Sequence, residues 1–303
     1  MSEISCTGLV TCLRSGFFDV ETEQGKISCR MRGRLKRGII KRDIIALGDR
    51  VQILIFADGS GVIEEVLPRD HTLVRMAPTP HGEVKQVLLA NLDQVVLVFA
   101  CAHPEPHLRM LDRFLVISEK QGIPPLIIAN KLDLVTLKQA MDIFSIYPDI
   151  GYPVIYTSAE NGKGLKELSK MLAGKVSALA GPSGVGKTSL LNSLQPELGL
   201  QVKEISEWNQ RGVHTTVVRR MFPLDGGGYV ADLPGLRSLA LWDVEMEEID
   251  GYFPEIRPLV SECQFNNCSH NEEPGCAVRK AVEDGKMNPE RYESYLRMRF
   301  MDD

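Results

Sequence analysis

A chain of 303 residues, 25% charged and 44% hydrophobic, is long enough for two or three cores and lies far from disordered or fibrous compositions. Its net charge of −5 excludes a protein that binds polyanions by bulk charge, so any nucleic-acid contact has to come from local basic patches. No apolar run is long enough to span a bilayer, and residues 1–11 lack the layout of a signal peptide; the cytoplasm is the expected compartment and no membrane is an expected partner.

The first domain is expected over residues 1–68. Short strands at 16–20, 27–35, 50–56 and 62–66, separated by glycine and aspartate turns, predict a small β-barrel. Between Arg30 and Arg42 stand seven basic residues (Arg30, Arg32, Arg34, Lys36, Arg37, Lys41 and Arg42) and no acidic one. Along a strand Arg30, Arg32 and Arg34 alternate onto one face, either as a phosphate-contacting strip on a barrel that binds RNA or as a charge-guarded edge strand. Residues 67–83 show no sustained periodicity, and a linker is placed at 69–84.

A second domain is expected over 85–240, where apolar strands alternate with helix-length segments, the pattern of a mainly parallel sheet covered by helices. Strands are predicted at 94–101, 125–129, 153–157, 176–180, 219–224 and 228–231. All but that at 219–224 run into polar or glycine-containing loops, where open α/β sheets hold ligands.

The loop after the fourth of these reads Gly181, Pro182, Ser183, Gly184, Val185, Gly186, Lys187, Thr188, and Ser189 opens the helix that follows. This is the phosphate-loop pattern in its required strand-to-helix context. Glycines let backbone N–H groups turn toward phosphates, Lys187 brings a charge to the outer phosphates, and Thr188 offers a hydroxyl to Mg²⁺. Asn130, Lys131 and Asp133 follow the strand at 125–129 in an Asn-Lys-x-Asp pattern. The two acceptor oxygens of Asp133 suit the adjacent N1–H and N2 amino donors of guanine, whereas adenine presents an acceptor at N1. Ser158 and Ala159 follow the next strand, and Ala159 or its neighbour supplies a backbone donor to the base's O6.

Asp232 stands where a carboxylate holds the Mg²⁺ shell, and Gly235 where an N–H senses the γ-phosphate. Residues 211–216 lie between the phosphate loop and Asp232, so Thr215 or Thr216 is expected to reach Mg²⁺. Many GTPases place a water-orienting glutamine where this chain has Leu236, and an aliphatic chain cannot do that work. His214, able both to donate to and to accept from a water, is the expected substitute.

A third domain is expected over 241–303, helical, with Cys263, Cys268, His270 and Cys276 in one short stretch. Three thiolates and one imidazole suit a closed tetrahedral Zn²⁺ site with a structural role. Arg279, Lys280, Arg291, Arg297 and Arg299 form a second, weaker basic patch beside it.

In chain order the base-reading loops come first, then the phosphate loop, then the segments with Thr215, Thr216, Asp232 and Gly235, with a barrel ahead and a Cys/His cluster behind. This order, together with Arg211, Gly212 and the triplet His214, Thr215, Thr216, resembles the circularly permuted, small-subunit-dependent GTPases of the RsgA family over nearly the whole chain. The resemblance implies a multi-domain fold: an N-terminal OB-fold β-barrel, a central circularly permuted α/β P-loop GTPase domain and a C-terminal α-helical domain with one structural zinc. It further implies GTP hydrolysis with Mg²⁺, catalytic roles for His214 and Lys187, and action late in 30S subunit maturation. On that reading a monomer binds the 30S subunit and 16S rRNA, is stimulated by them, and leaves on hydrolysis. A small-molecule kinase on the same phosphate loop and a nucleotide-independent RNA scaffold are the competing classes. The first would prefer ATP; the second would function without Lys187.

Overall fold

The computed structural model describes residues 4–14, 16–33, 45–79, 82–200, 219–232 and 244–300. Its strands are β1 (Ile4–Arg14), β2 (Phe17–Thr22), β3 (Gly25–Met31), β4 (Arg50–Ile55), β5 (Gly61–Val66), β6 (Thr72–Thr79), β7 (Gly82–Ala90), β8 (Gln94–Ala100), β9 (Pro125–Asn130), β10 (Val154–Tyr156), β11 (Val176–Ala180), β12 (Arg219–Pro223) and β13 (Tyr229–Asp232). Its α-helices are α1 (Leu108–Gln121), α2 (Leu137–Phe144), α3 (Ile146–Asp149), α4 (Leu165–Leu172), α5 (Lys187–Leu194), α6 (Ala277–Glu283) and α7 (Pro289–Phe300).

These elements form two compact units. The first comprises Met1–Val95, Lys166–Ala180 and Thr188–Arg237; the second comprises Val96–Leu165, Gly181–Lys187 and Ser238–Asp303.

In the first unit the strand order β1-β2-β3-β5-β4 closes through a β1–β4 ladder into a five-stranded barrel. Val10, Val20, Cys29, Val51, Ile53 and Ile63 fill it, each fully buried, because their side chains alternate inward along the strands. The sequence reading missed β1, and β1 does most to shape the unit. Its residues Ile4–Leu9 pair with β4 and Leu9–Arg14 with β2, while Cys12 and Leu13 also face Arg220 and Arg219 of β12. The barrel and the strands β12, β13 and β11 therefore share one hydrogen-bonded sheet.

Residues 67–83, expected to be irregular, contain β6 and the start of β7, an antiparallel hairpin in register from Thr72 opposite Ala90 to Thr79 opposite Gly82. A bulge between Leu73 and Val74 interrupts the period-2 alternation that marks a strand, and the two strands pair with each other in a sheet of their own, which needs no long apolar face.

The second unit holds β9 and β10 in parallel register, with β8 on the other side of β9. Every residue of β8 is buried, as a strand covered on both faces requires. Helix α1 packs Leu111, Phe114, Leu115 and Val116 inward and ends at Gly122 in the left-handed region, its N–H capping the carbonyls of Ser118 and Glu119. The C-terminal segment of this unit is helical: two 3₁₀ turns, Met246–Tyr252 and Arg257–Glu262, precede α6 and α7.

Candidate functional site

The loop from Gly181 to Gly186 joins β11 to α5, so the unpaired N–H groups of the first helical turn lie at its end. Two glycines are dictated by close packing as well as by backbone conformation. At Gly181, with φ 138°, a Cβ would lie 2.1 Å from the carbonyl oxygen of Val98. At Gly186, with φ 93°, it would lie 2.5 Å from Asn130 Nδ2. Val185 is buried and anchors the loop, leaving Ser183 and Gly184 exposed at its tip. Lys187 Nζ folds back across the loop and donates to the carbonyls of Gly181 at 2.8 Å and Pro182 at 2.6 Å. Thr188 is buried in the first turn of α5.

Asn130 closes β9 with its side chain only 1% exposed. Its Nδ2 donates to the Val185 carbonyl at 2.8 Å, and its Oδ1 accepts from the Thr157 hydroxyl at 3.1 Å. One amide thus joins both base-reading loops to the phosphate loop. The sequence reading gave Asn130 to the nucleotide; its side-chain bonds here go to the protein. Lys131 has φ 63°, and its Nζ donates to the carbonyl of His103. Asp133 is exposed, with Oδ1 accepting from the Ser158 hydroxyl at 2.5 Å. The Leu132 N–H donates to the Thr157 carbonyl, which fixes the two loops side by side. The Ser158 N–H donates to Lys163, while its own carbonyl accepts from Gly162. An exposed acceptor-only carboxylate, oriented by a hydroxyl and beside a phosphate loop, is arranged to take paired N–H donors from a base.

Asp232 ends β13, opposite Leu179 of the parallel strand β11. His214, Thr215, Thr216, Gly235 and Leu236 lie outside the described residues.

The ligand atoms of Cys263, Cys268, His270 and Cys276 lie within 4.8 Å of one another, and all but Cys263 are buried. His270 Nδ1 is 3.5 Å from the sulfurs of Cys263 and Cys276. Tetrahedral zinc at ordinary bond lengths separates an imidazole nitrogen from a thiolate sulfur by about 3.5 Å, so the residues fit that ion. The other imidazole nitrogen, Nε2, meets Asp250 Oδ2 at 3.3 Å, the outer carboxylate that usually sets a metal-binding histidine's tautomer. Burial pushes the Cys268 thiol up to about 12, against a lowering bond from His270 and with Cys276 adding to the rise. A thiolate in such surroundings needs a cation to stabilise it.

The basic patches are smaller than their sequences suggest. Arg291 is buried and bound to Asp112 and Glu255, and Arg297 is paired with Glu293, so neither adds free charge beside the cluster. On the barrel Arg30 is exposed and lies 4.8 Å over the ring of Phe17, while Arg32 pairs with Glu64. Arg34, Lys36, Arg37, Lys41 and Arg42 lie outside the described residues.

Comparison with known proteins follows the same outline. The RsgA GTPase family model matches residues 66–242 and the RsgA N-terminal domain model matches residues 7–63. A small ribosomal subunit biogenesis GTPase RsgA from Gemmatimonas aurantiaca is 46% identical over 302 residues, covering 97% of both chains. One from Moorella thermoacetica is 42% identical over 281 residues, covering 93% of this chain and 92% of its own. Among solved structures, YjeQ from Thermotoga maritima superposes with TM-score 0.80 at 36% identity over 98% of each chain. YloQ, described as a circularly permuted GTPase, gives 0.75 at 32% identity over 98% of this chain and 94% of its own. The base-reading loops here leave β9 and β10, ahead of the phosphate loop after β11, and with that order the chain belongs to the RsgA family of circularly permuted GTPases.

Proposed function

We propose that this GTPase hydrolyses GTP during maturation of the small ribosomal subunit, which stimulates it and which it leaves on hydrolysis. The observation that supports the nucleotide half is the Asn130 amide, whose bonds to Val185 and Thr157 tie the loop after β11 to the loops that carry Asp133 and Ser158. The relatives' names carry the ribosomal half.

In this reading Asp133 pairs with N1–H and N2–H of guanine, Ala159 or its neighbour meets O6, and the loop 181–186 with Lys187 takes the phosphates. Thr188, Thr215 or Thr216, and Asp232 would hold Mg²⁺, which would supply positive charge to the nucleotide's outer phosphates. His214 orients the water and Gly235 senses the γ-phosphate. Zinc at Cys263, Cys268, His270 and Cys276 is structural, since four protein ligands leave no open position for catalysis. The exposed Arg30 on Phe17 and the basic residues that follow contact 16S rRNA from the barrel. The protein acts as a cytoplasmic monomer; among the described residues no helix is long and apolar enough to cross a membrane.

The deciding experiment is GTP and ATP hydrolysis by purified protein with and without salt-washed 30S subunits. The expected result is GTP-selective turnover that rises strongly with 30S. Comparable ATP turnover overturns the guanine assignment; GTP-selective turnover indifferent to 30S overturns the ribosomal one.

A further inference from the structure

Helix α1 carries two acidic residues, Asp112 and Glu119, seven positions apart and so on one face of the helix, two turns from each other. Each is gripped from both sides. Asp112 accepts from the Tyr147 hydroxyl at 3.0 Å and from Arg291 Nη1 at 2.6 Å. Glu119 accepts from the Tyr152 hydroxyl at 3.2 Å and from Arg257 Nη2 at 2.8 Å. Both tyrosines come from the stretch between the two base-reading loops, and both arginines from the segment that carries the Cys/His cluster. The same tyrosine–carboxylate–arginine relay therefore occurs twice and joins the same three pieces of chain.

The relays are rooted at each end. On the metal side, Tyr292 and Tyr295 follow Arg291 on α7 and donate their hydroxyls to the carbonyls of His270 at 2.6 Å and Ser269 at 2.9 Å. The Arg291 guanidinium lies 4.4 Å over the Phe253 ring, whose edge packs on Tyr295, and Glu255 holds its remaining donors. On the nucleotide side, the Tyr152 N–H donates to the Tyr147 carbonyl, and two residues later β10 begins and leads to Thr157 and Ser158. Burial first, and the adjacent carboxylate second, raise both phenols, so they remain donors at any physiological pH. Burial disfavours the charge on Arg291, but Asp112 and Glu255 more than offset it.

We infer that Asp112 and Glu119 are positioning residues that make guanine-nucleotide binding and metal retention at the Cys/His cluster mutually dependent. The inference rests on the guanine and zinc readings given above. Its physical basis is that a carboxylate as buried as Asp112 cannot lose one partner cheaply, and that the half-buried Glu119 holds a second contact between the same pieces of chain. Loosening the metal loop frees α7 and the turn Arg257–Glu262, which strips Arg291 from Asp112 and Arg257 from Glu119, and Tyr147 and Tyr152 lose the anchors that fix the approach to β10. Linkage makes the dependence reciprocal: the factor by which zinc tightens GDP binding equals the factor by which GDP tightens zinc binding.

The test is zinc affinity of the full-length protein, measured by equilibrium competition with a chromogenic chelator, alone and with saturating GDP or ADP. GDP is expected to raise zinc affinity about fivefold or more, the lower end of ordinary coupling, with little effect from ADP. Glu119→Gln and Arg257→Met alter the more exposed relay and leave the core pair intact; in both, the GDP effect is expected to shrink to what the Asp112 relay alone carries. Zinc affinity that is the same with and without GDP, in protein that still prefers GDP to ADP, overturns the coupling alone. Protein that binds GDP no better than ADP overturns the guanine reading and the inference with it, and protein that takes up no zinc does the same through the metal reading. An undiminished GDP effect in both variants overturns the role given to the relays.

Discussion

Asn130 Nδ2 lies 2.8 Å from the carbonyl oxygen of Val185, so the side chain that ends β9 braces the loop between β11 and α5. At 1% exposure no bulk water can take its place. Asn130→Ala leaves the Val185 carbonyl and the Thr157 hydroxyl without this partner, a loss on the order of 1–3 kcal/mol. GDP affinity measured by calorimetry is expected to fall about tenfold or more. Asn130→Asp is expected to be worse, because an acceptor then faces the carbonyl. An alanine variant with wild-type affinity would remove the brace from the account.

Gly181→Ala tests the packing of the phosphate loop itself. A methyl group there meets the Val98 carbonyl at 2.1 Å on a backbone with φ 138°, and the combined strain is on the order of 1–3 kcal/mol or more. Gly184, also at positive φ, has its nearest neighbour at 3.8 Å, so Gly184→Ala carries the conformational strain without the clash. The melting temperature is expected to drop further for Gly181→Ala than for Gly184→Ala. Equal drops would mean that the contact with Val98 contributes nothing.

His214→Ala addresses the water. If the imidazole replaces the glutamine that Leu236 cannot, turnover with 30S is expected to fall by about 10²–10⁴ while GTP affinity stays within about twofold. Unchanged turnover takes His214 out of the mechanism.

Asp250 meets the Cys/His cluster through His270 Nε2, at 3.3 Å. Loss of such an outer carboxylate typically weakens a metal site about 10–100-fold, so Asp250→Ala is expected to release zinc to a chelator that leaves the native protein loaded. Cys276→Ala has a second effect, because the Cys276 sulfur also caps α6 by accepting from the Arg279 N–H at 3.5 Å and alanine offers no acceptor there. It is expected to lower the melting temperature further than Cys276→Ser, which loses the thiolate but keeps a hydroxyl acceptor at the cap, while both variants lose metal. Equal melting temperatures would confine that residue to the metal.

The amino-acid sequence by itself determined the features that depend on neighbours in the chain. The phosphate loop, Asn130 to Asp133 and the cluster from Cys263 to Cys276 are local patterns whose chemistry is set by residue type and spacing, and β8, apolar at every position after Gln94, announces a strand covered on both faces. What only the tertiary structure decided are pairings between distant residues. The double duty of β1, against β4, β2 and β12, depends on register across more than two hundred residues and leaves no local mark. The commitment of Arg291 to Asp112 is of the same kind: in the sequence Arg291 is one more basic residue near the C-terminus, and it is read as surface charge. Asp112 did leave a trace, as an acid amid the buried residues of α1, but a lone buried acid does not name its partner. A charge is exposed or buried according to what packs over it, and that is settled only when the chain closes.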